Sequence, residues 1–233
     1  MLPFLAHGQD APTRFLDQQQ MAAETWVQAR HGSMEQILQG REHYAQYPKV
    51  LGHPFWPAED WLIGRLETPL YTFPEILLKY DAYQDILVFG SDSMRVDMSA
   101  LDPSRVGRFA MLTHQFLYLG KNSEEQAALA GAKLEPGYFE LLYDGRVRLL
   151  VKRKKILRKE NDDPDRRGEF VARSQYWLWN KQGLRRVESR GDTLKALTDQ
   201  RQAIKAYWRQ QSLTMKRLQQ GGWTELLTYY DSL

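Results

Sequence analysis

A chain of 233 residues with 42% hydrophobic and 26% charged side chains is long enough to bury a core of its own. No stretch approaches the ~18–20 consecutive apolar residues of a helical membrane span. The absence of cysteine excludes disulfides, a thiol nucleophile and thiolate metal ligands, and is compatible with export. The formal net charge of +3 hides an asymmetry: residues 1–140 hold 11 basic and 18 acidic side chains, a balance of −7, and residues 141–233 hold 21 and 11, a balance of +10. Such polarity either marks an anionic partner for the basic half or lets the two halves neutralise each other within one fold.

The chain opens MLPFLAHGQDAP, a short apolar run from Leu2 to Ala6 followed by small residues. This resembles the end of a secretory signal peptide, with a small-x-small cleavage site at Ala6-His7-Gly8 but without the basic start and most of the apolar region. The expectation is a signal-peptide remnant over residues 1–9 and a location in the periplasm or at the outer membrane. The alternative is a polar cytoplasmic tail. Residues 15–39 have a helix-forming composition, with apolar side chains at Phe15, Met21, Trp26, Ile37 and Leu38.

From Trp61 the pattern turns to short strands. WLIGRLETPLYTF and EILLKYDAYQDILVF are apolar runs broken by Gly, Pro and Asp-Ala-Tyr-Gln, Ser91-Asp92-Ser93 marks a turn, and RVGRFAML and QFLYLG add two strands. NSEEQAALAGA is a helical turn or loop that Ser123 can cap, with Glu124 and Glu125 favourably placed in its first turn. Asp144-Gly145 between YFELLY and RVRLLV is the strongest hairpin signal. After the acidic loop ENDDPDRRGE comes an aromatic strand, FVARSQYWLWN, then a turn at Lys181-Gln182-Gly183 and LRRVES. From Asp192, Leu194, Leu197, Ile204, Tyr207 and Trp208 recur near helical spacing, and WTELLTYY forms a last helix after Gly221-Gly222. The predicted fold class is α+β: a mainly antiparallel sheet or partly closed barrel, with C-terminal helices packed on it. The expected organisation is one β-rich domain over residues 10–190, with helices 191–233 packed on the same domain.

GHPFWPAEDWLIGRL, LLKYDAYQDILVF, GYFELLYDGRVRLLVKRKK, QYWLW and the final Tyr-Tyr-Asp-Ser-Leu at 229–233 form a layout with a known likeness. It resembles that of uncharacterised exported proteins from Bacteroidetes-type bacteria. The likeness covers most of residues 40–233 and rests on β patterns. It implies a β-rich exported protein and carries over no activity.

Catalytic signatures are few. His7, His31, His43, His53 and His114 form neither a helical i, i+4 pair nor an H-x-H strand pair. A metal site would have to assemble from His43, His53 and Glu59 or Asp60, a pattern weaker than scattered histidines. There is no nucleophile elbow and no Gly-rich phosphate loop. No catalytic, metal or cofactor-binding residue is therefore assigned, and a non-catalytic binding or assembly component with a protein or cell-envelope partner is the leading expectation. Arg190-Gly191-Asp192 reads as a helix start with Asp192 as N-cap. Trp177 and Trp179 share one sheet face, either as a stacking platform or as core under the C-terminal helices.

The densest chemical signal is GRVRLLVKRKKILRK, with eight Lys and Arg in fifteen residues. Arg146, Arg148, Lys152, Arg153, Lys154, Lys155 and Arg158 are the candidate contacts to an anion or partner. Strand alternation puts Arg146, Arg148, Lys152 and Lys154 on an outward basic face and Val147, Leu149 and Val151 inward. Arg153 and Lys155 then break the apolar face, so residues 152–169 are expected to leave the core as a protruding ribbon with an acidic tip at Asp162, Asp163 and Asp165. Nucleic acid is a poor fit because no aromatics interleave the charges. An edge strand protected by lysines explains them without a ligand.

Overall fold

The computed structural model describes residues 41–42, 47–69, 71–90, 98–159 and 168–233. The predicted signal remnant, the 15–39 helix, His43, the Ser91–Ser93 turn and the acidic tip at 162–165 lie outside them. Among the described residues thirteen strands form one sheet: β1 (Arg41–Glu42), β2 (Val50–Leu51), β3 (Phe55–Trp56), β4 (Leu62–Glu67), β5 (Thr72–Asp81), β6 (Ile86–Gly90), β7 (Met98–Ala100), β8 (Arg108–Met111), β9 (His114–Leu119), β10 (Gly137–Asp144), β11 (Arg148–Arg158), β12 (Gly168–Asn180) and β13 (Gly183–Arg186). Their order is β1-β7-β6-β5-β4-β8-β9-β10-β11-β12-β13, with β3 on β5 and β2 on β12. Every pairing is antiparallel except β2 with β12.

The sheet is open. The partly closed barrel is not formed, because the turn after β5 reaches β11 through one main-chain hydrogen bond, Lys155 N–H to Ala82 C=O at 3.0 Å, and not through a ladder. Helices cover both faces of its second half. On one face α1 (Ser123–Gly131) packs Leu129 against Leu117, Leu119, Phe139, Leu150, Trp177 and Leu184. On the other, α2 (Arg190–Ala196), α3 (Arg201–Gln210) and α4 (Trp223–Asp231) cover Val147, Leu149, Val151, Tyr176 and Leu178. α3 and α4 supply Ile204, Trp208, Trp223, Leu226 and Leu227, each large apolar side chain contributing about 1.5–3 kcal/mol by leaving water. The first half packs aromatic on aromatic: Phe109 stacks on Phe116 at 4.6 Å, and Tyr80 and Tyr138 close around them at 5.3–6.0 Å.

Several local expectations are corrected by their neighbours. Trp177 and Trp179 do share a face, but it is the α1 face and not that of the C-terminal helices. Asn122, not Ser123, caps α1; its side chain accepts from Glu125 N–H, while the Glu125 carboxylate returns to the N–H groups of Gly120 and Lys121. Ser189, not Asp192, caps α2. Asp192 sits three residues in and accepts the Ser189 hydroxyl at 2.7 Å, a hydrogen bond that holds its carboxyl below the ordinary range. The Asp144-Gly145 hairpin forms as expected, and its glycine has a second purpose. A Cβ there would collide with Oδ2 of Asp231, which ties α4 to the hairpin by accepting from Tyr143 Oη at 2.7 Å and Arg146 N–H at 3.2 Å.

Candidate functional site

The site begins where β10 and β11 part. Their last paired residues in this direction are Glu140 and Val151, yet β11 runs on to Arg158 beside β12. The main chain of Tyr138 is thereby left without a strand partner on that side. Two side chains supply one: Asp85 Oδ2 accepts the Tyr138 N–H at 3.3 Å, and Lys152 Nζ donates to the Tyr138 C=O at 2.9 Å. Asp85 belongs to the β5–β6 turn, which is set by Asp81 Oδ1 accepting from the N–H groups of Tyr83 and Gln84. Asp85 itself stands at φ +62°, a left-handed conformation that Asp tolerates better than most residues.

The two charged groups meet at 2.5 Å, and the Tyr80 hydroxyl donates to Asp85 Oδ1 at 2.6 Å. Lys152 is 6% exposed and its ammonium also lies 4.8 Å from the Phe139 ring centroid. Burial pulls the Lys152 ammonium below its ordinary range, and the neighbouring Asp85 opposes that pull. Burial, with Asp85 second, pushes the Tyr80 and Tyr138 hydroxyls up. Gly137 leaves the room: a Cβ on it would collide with both Asp85 Oδ2 and Lys152 Nζ.

Above this pair opens a groove of about 520 Å³, within the range of small-molecule sites. The β5–β6 turn lines it with Tyr83 and Asp85, the segment after α1 with Lys133, Leu134, Glu135 and Pro136, and β11 with Lys152, Lys154, Lys155 and Ile156. Alternation puts Lys154 and Ile156 on the Lys152 face of β11. Among the described residues, Lys133 and Lys154 have no carboxylate partner.

A second polar cluster lies across β9 to β12. Glu140, 1% exposed, takes His114 Nδ1 at 2.5 Å on one oxygen and Arg153 Nε at 2.5 Å on the other. Arg153 continues to Ser174 Oγ at 2.8 Å, and the Trp56 ring lies 5.0 Å from the Arg153 guanidinium and 4.6 Å from the His114 ring, edge to face with it. A carboxylate bound to an imidazole resembles the base half of a catalytic dyad. Among the described residues, however, Glu140 is the hydrogen-bond partner of His114, and no hydroxyl nucleophile is held against it. No group of three or more metal-ligating side chains occurs among the described residues, and Glu59 and Asp60 are exposed.

The seven candidate residues are thus dispersed. Arg146 bonds Asp199 and the Tyr230 carbonyl, Arg148 bonds Asp144 and lies over Trp179, and Arg158 bonds Glu169. Lys152 and Arg153 point inward to Asp85 and Glu140, which corrects the outward basic face predicted for Lys152. Residues 152–158 are not a free ribbon either. Ala82 holds Lys155, β2 pairs with Gly168 and Glu169, and Phe170 is enclosed by Tyr47 and Tyr83 at 5.0 and 5.3 Å. Lys155 is half-buried and drawn below its ordinary range by desolvation, and burial, with the Lys155 charge second, lowers the His53 imidazole. Lys154 has no acidic partner among the described residues.

No family model matches this chain. No curated protein matches it, and no solved structure does. The site must be read from its own chemistry. Asp85, Glu140, His114 and Lys133 were not legible as site residues: Asp85 and Lys152 are 67 positions apart, and Glu140 and His114 are 26 apart, separations at which no spacing rule operates.

Proposed function

We propose that the chain is a non-catalytic binding component of the cell envelope that takes an anionic ligand in the groove between the β5–β6 turn and β11. The observation that carries this reading is that Lys133 and Lys154, which line a groove together with Tyr83, Leu134, Pro136 and Ile156, have no carboxylate partner among the described residues. The base of the groove is already neutral, because Asp85 and Lys152 satisfy each other there. A ligand anion would therefore meet the rim lysines and not displace a structural ion pair. A polyanion lying along residues 146–159 is disfavoured, since Arg146, Arg148, Arg153 and Arg158 each have an acidic partner.

The test is titration of the full chain with inorganic phosphate, heparin and dodecyl phosphate, repeated on K133Q/K154Q. The expected result is saturable, salt-sensitive binding of at least one anion, weakened tenfold or more in the double variant. Equal binding before and after the substitution overturns the assignment of the groove. The envelope location rests on Leu2–Ala6 and the small-residue site at Ala6-His7-Gly8. Intact mass of an exported product beginning near Gln9 or Asp10 agrees with it, and a mature chain retaining Met1 contradicts it.

A further inference from the structure

The geometry points to one class of ligand for this groove: an amphiphile with a single anionic head and an apolar stem. The inference rests on the anion-binding reading above and narrows it. In the β11–β12 ladder Lys154 stands directly opposite Arg173, so two like charges share one face of the sheet. Such a pair is destabilising unless an anion sits between its members. Neither side chain has a carboxylate partner among the described residues, and Arg173 is exposed. The sheet therefore holds a cationic couple ready for one small oxyanion, with Lys133 on the other wall of the groove.

The next pair on the same face is apolar, Ile156 opposite Val171, and Ile156 is 40% exposed. Tyr83, 42% exposed, lines the same groove with Leu134 and Pro136. Ile156 thus lies next to the cationic couple on the same face, and Tyr83 borders the groove from the β5–β6 turn. One step further, Arg158 is already paired with Glu169. The positive region is short and bounded by an apolar one, the pattern that suits one charge joined to a hydrocarbon and not a repeating polyanion. Fatty carboxylates and lipid phosphates share this chemistry, and the cationic couple accepts either head.

Calorimetric titration with alkyl phosphates of increasing length, kept below their micelle concentrations, reads the inference directly. Complete burial of each methylene would raise affinity about fourfold. A groove open on one side is expected to give a twofold to fourfold rise per methylene. K154Q and R173Q should weaken every member of the series severalfold, while I156N should flatten the dependence on length and leave methyl phosphate unchanged. Alkanoates run in parallel show which head is preferred, and neutral dodecyl maltoside should not bind saturably. Circular dichroism of each variant checks that the fold is retained. Length-independent binding that still needs Lys154 would overturn the amphiphile and leave the anion groove standing. Length-dependent binding indifferent to K154Q and R173Q, or shared by the maltoside, is apolar adsorption and overturns it too. If no anion binds at all, both readings fall.

Discussion

Arg146 and Lys152 lie six residues apart in one basic stretch, and their surroundings differ in kind. Arg146, in the hairpin turn, keeps 43% of its side chain in water and pairs with an equally wet Asp199. Lys152 is buried and answers both the Asp85 carboxylate and an orphaned main-chain carbonyl. Arg153 beside it follows Lys152, engaging a Glu140 with almost no solvent contact. The difference comes from strand geometry and not from charge density. Near Arg146 the hairpin is closed and acids reach it from the surface, whereas at Lys152 β10 departs and leaves polar main chain that only an inserted side chain can satisfy. A basic run is therefore no single feature; each cation takes the role that the nearest unpaired polar group assigns to it.

High pH should have the largest effect, and it reaches both regions, since burial also pushes up the Tyr230 hydroxyl beside Arg146, to about 12. Burial raises Tyr80 and Tyr138 next to the Asp85–Lys152 pair, so the unfolded chain gives up these protons first. The stability they contribute is present below about pH 10 and lost as the pH climbs beyond it. The lowered Lys152 acts with the opposite sign, adding stability as the pH rises towards its ordinary value of 10.5, so the decline is expected only above about pH 10. Tyrosinate absorbance followed together with circular dichroism should show these hydroxyls ionising only as the sheet unfolds. Their ionisation in an intact fold would mean the cluster is open to water.

E140Q is expected to cost about 3–5 kcal/mol in urea unfolding, because it leaves the Arg153 guanidinium buried without its counter-charge. A loss below about 1 kcal/mol would place Glu140 in the same class as the surface acids. G137A should cost about 1–3 kcal/mol through overpacking against Asp85 and Lys152, and should weaken protection of the Tyr138 amide in hydrogen exchange. The smallest effect belongs to the exposed region: R146Q should change stability by no more than about 1 kcal/mol, since both partners are wet. A larger loss would show that the link from Arg146 to the Tyr230 carbonyl anchors α4 more firmly than its exposure indicates.

Much of this fold was legible in the residues themselves. Alternating apolar runs marked β4, β5, β8 and β9, Asp144-Gly145 marked the hairpin, and the change of period after Asp192 marked the helices. These signals act over a few residues. What escaped was set by long-range partners. Nothing near Lys152 announces that β10 will leave β11 or that Asp85 will come from another turn to meet it. The barrel expectation failed for the same reason, because the meeting of the β5–β6 turn with β11 is made by two side chains and one main-chain bond. Of the face that alternation turned outward, Arg146 and Arg148 are exposed and Lys152 is buried, while Lys133 and Arg173 come near Lys154 only once the sheet is assembled.

The central claim is that neighbouring lysines of β11 divide their labour: Lys152 holds the turn to the sheet, and Lys154 is left for a ligand. Parallel measurement of urea stability and dodecyl phosphate affinity for K152M and K154Q tests it most directly. K152M should lose about 3 kcal/mol, at the lower end for a broken buried pair because Asp85 keeps some contact with water. K154Q should stay within about 0.5 kcal/mol of the parent chain while its affinity falls severalfold. The account is contradicted if K152M is as stable as the parent, or if K154Q binds as the parent does.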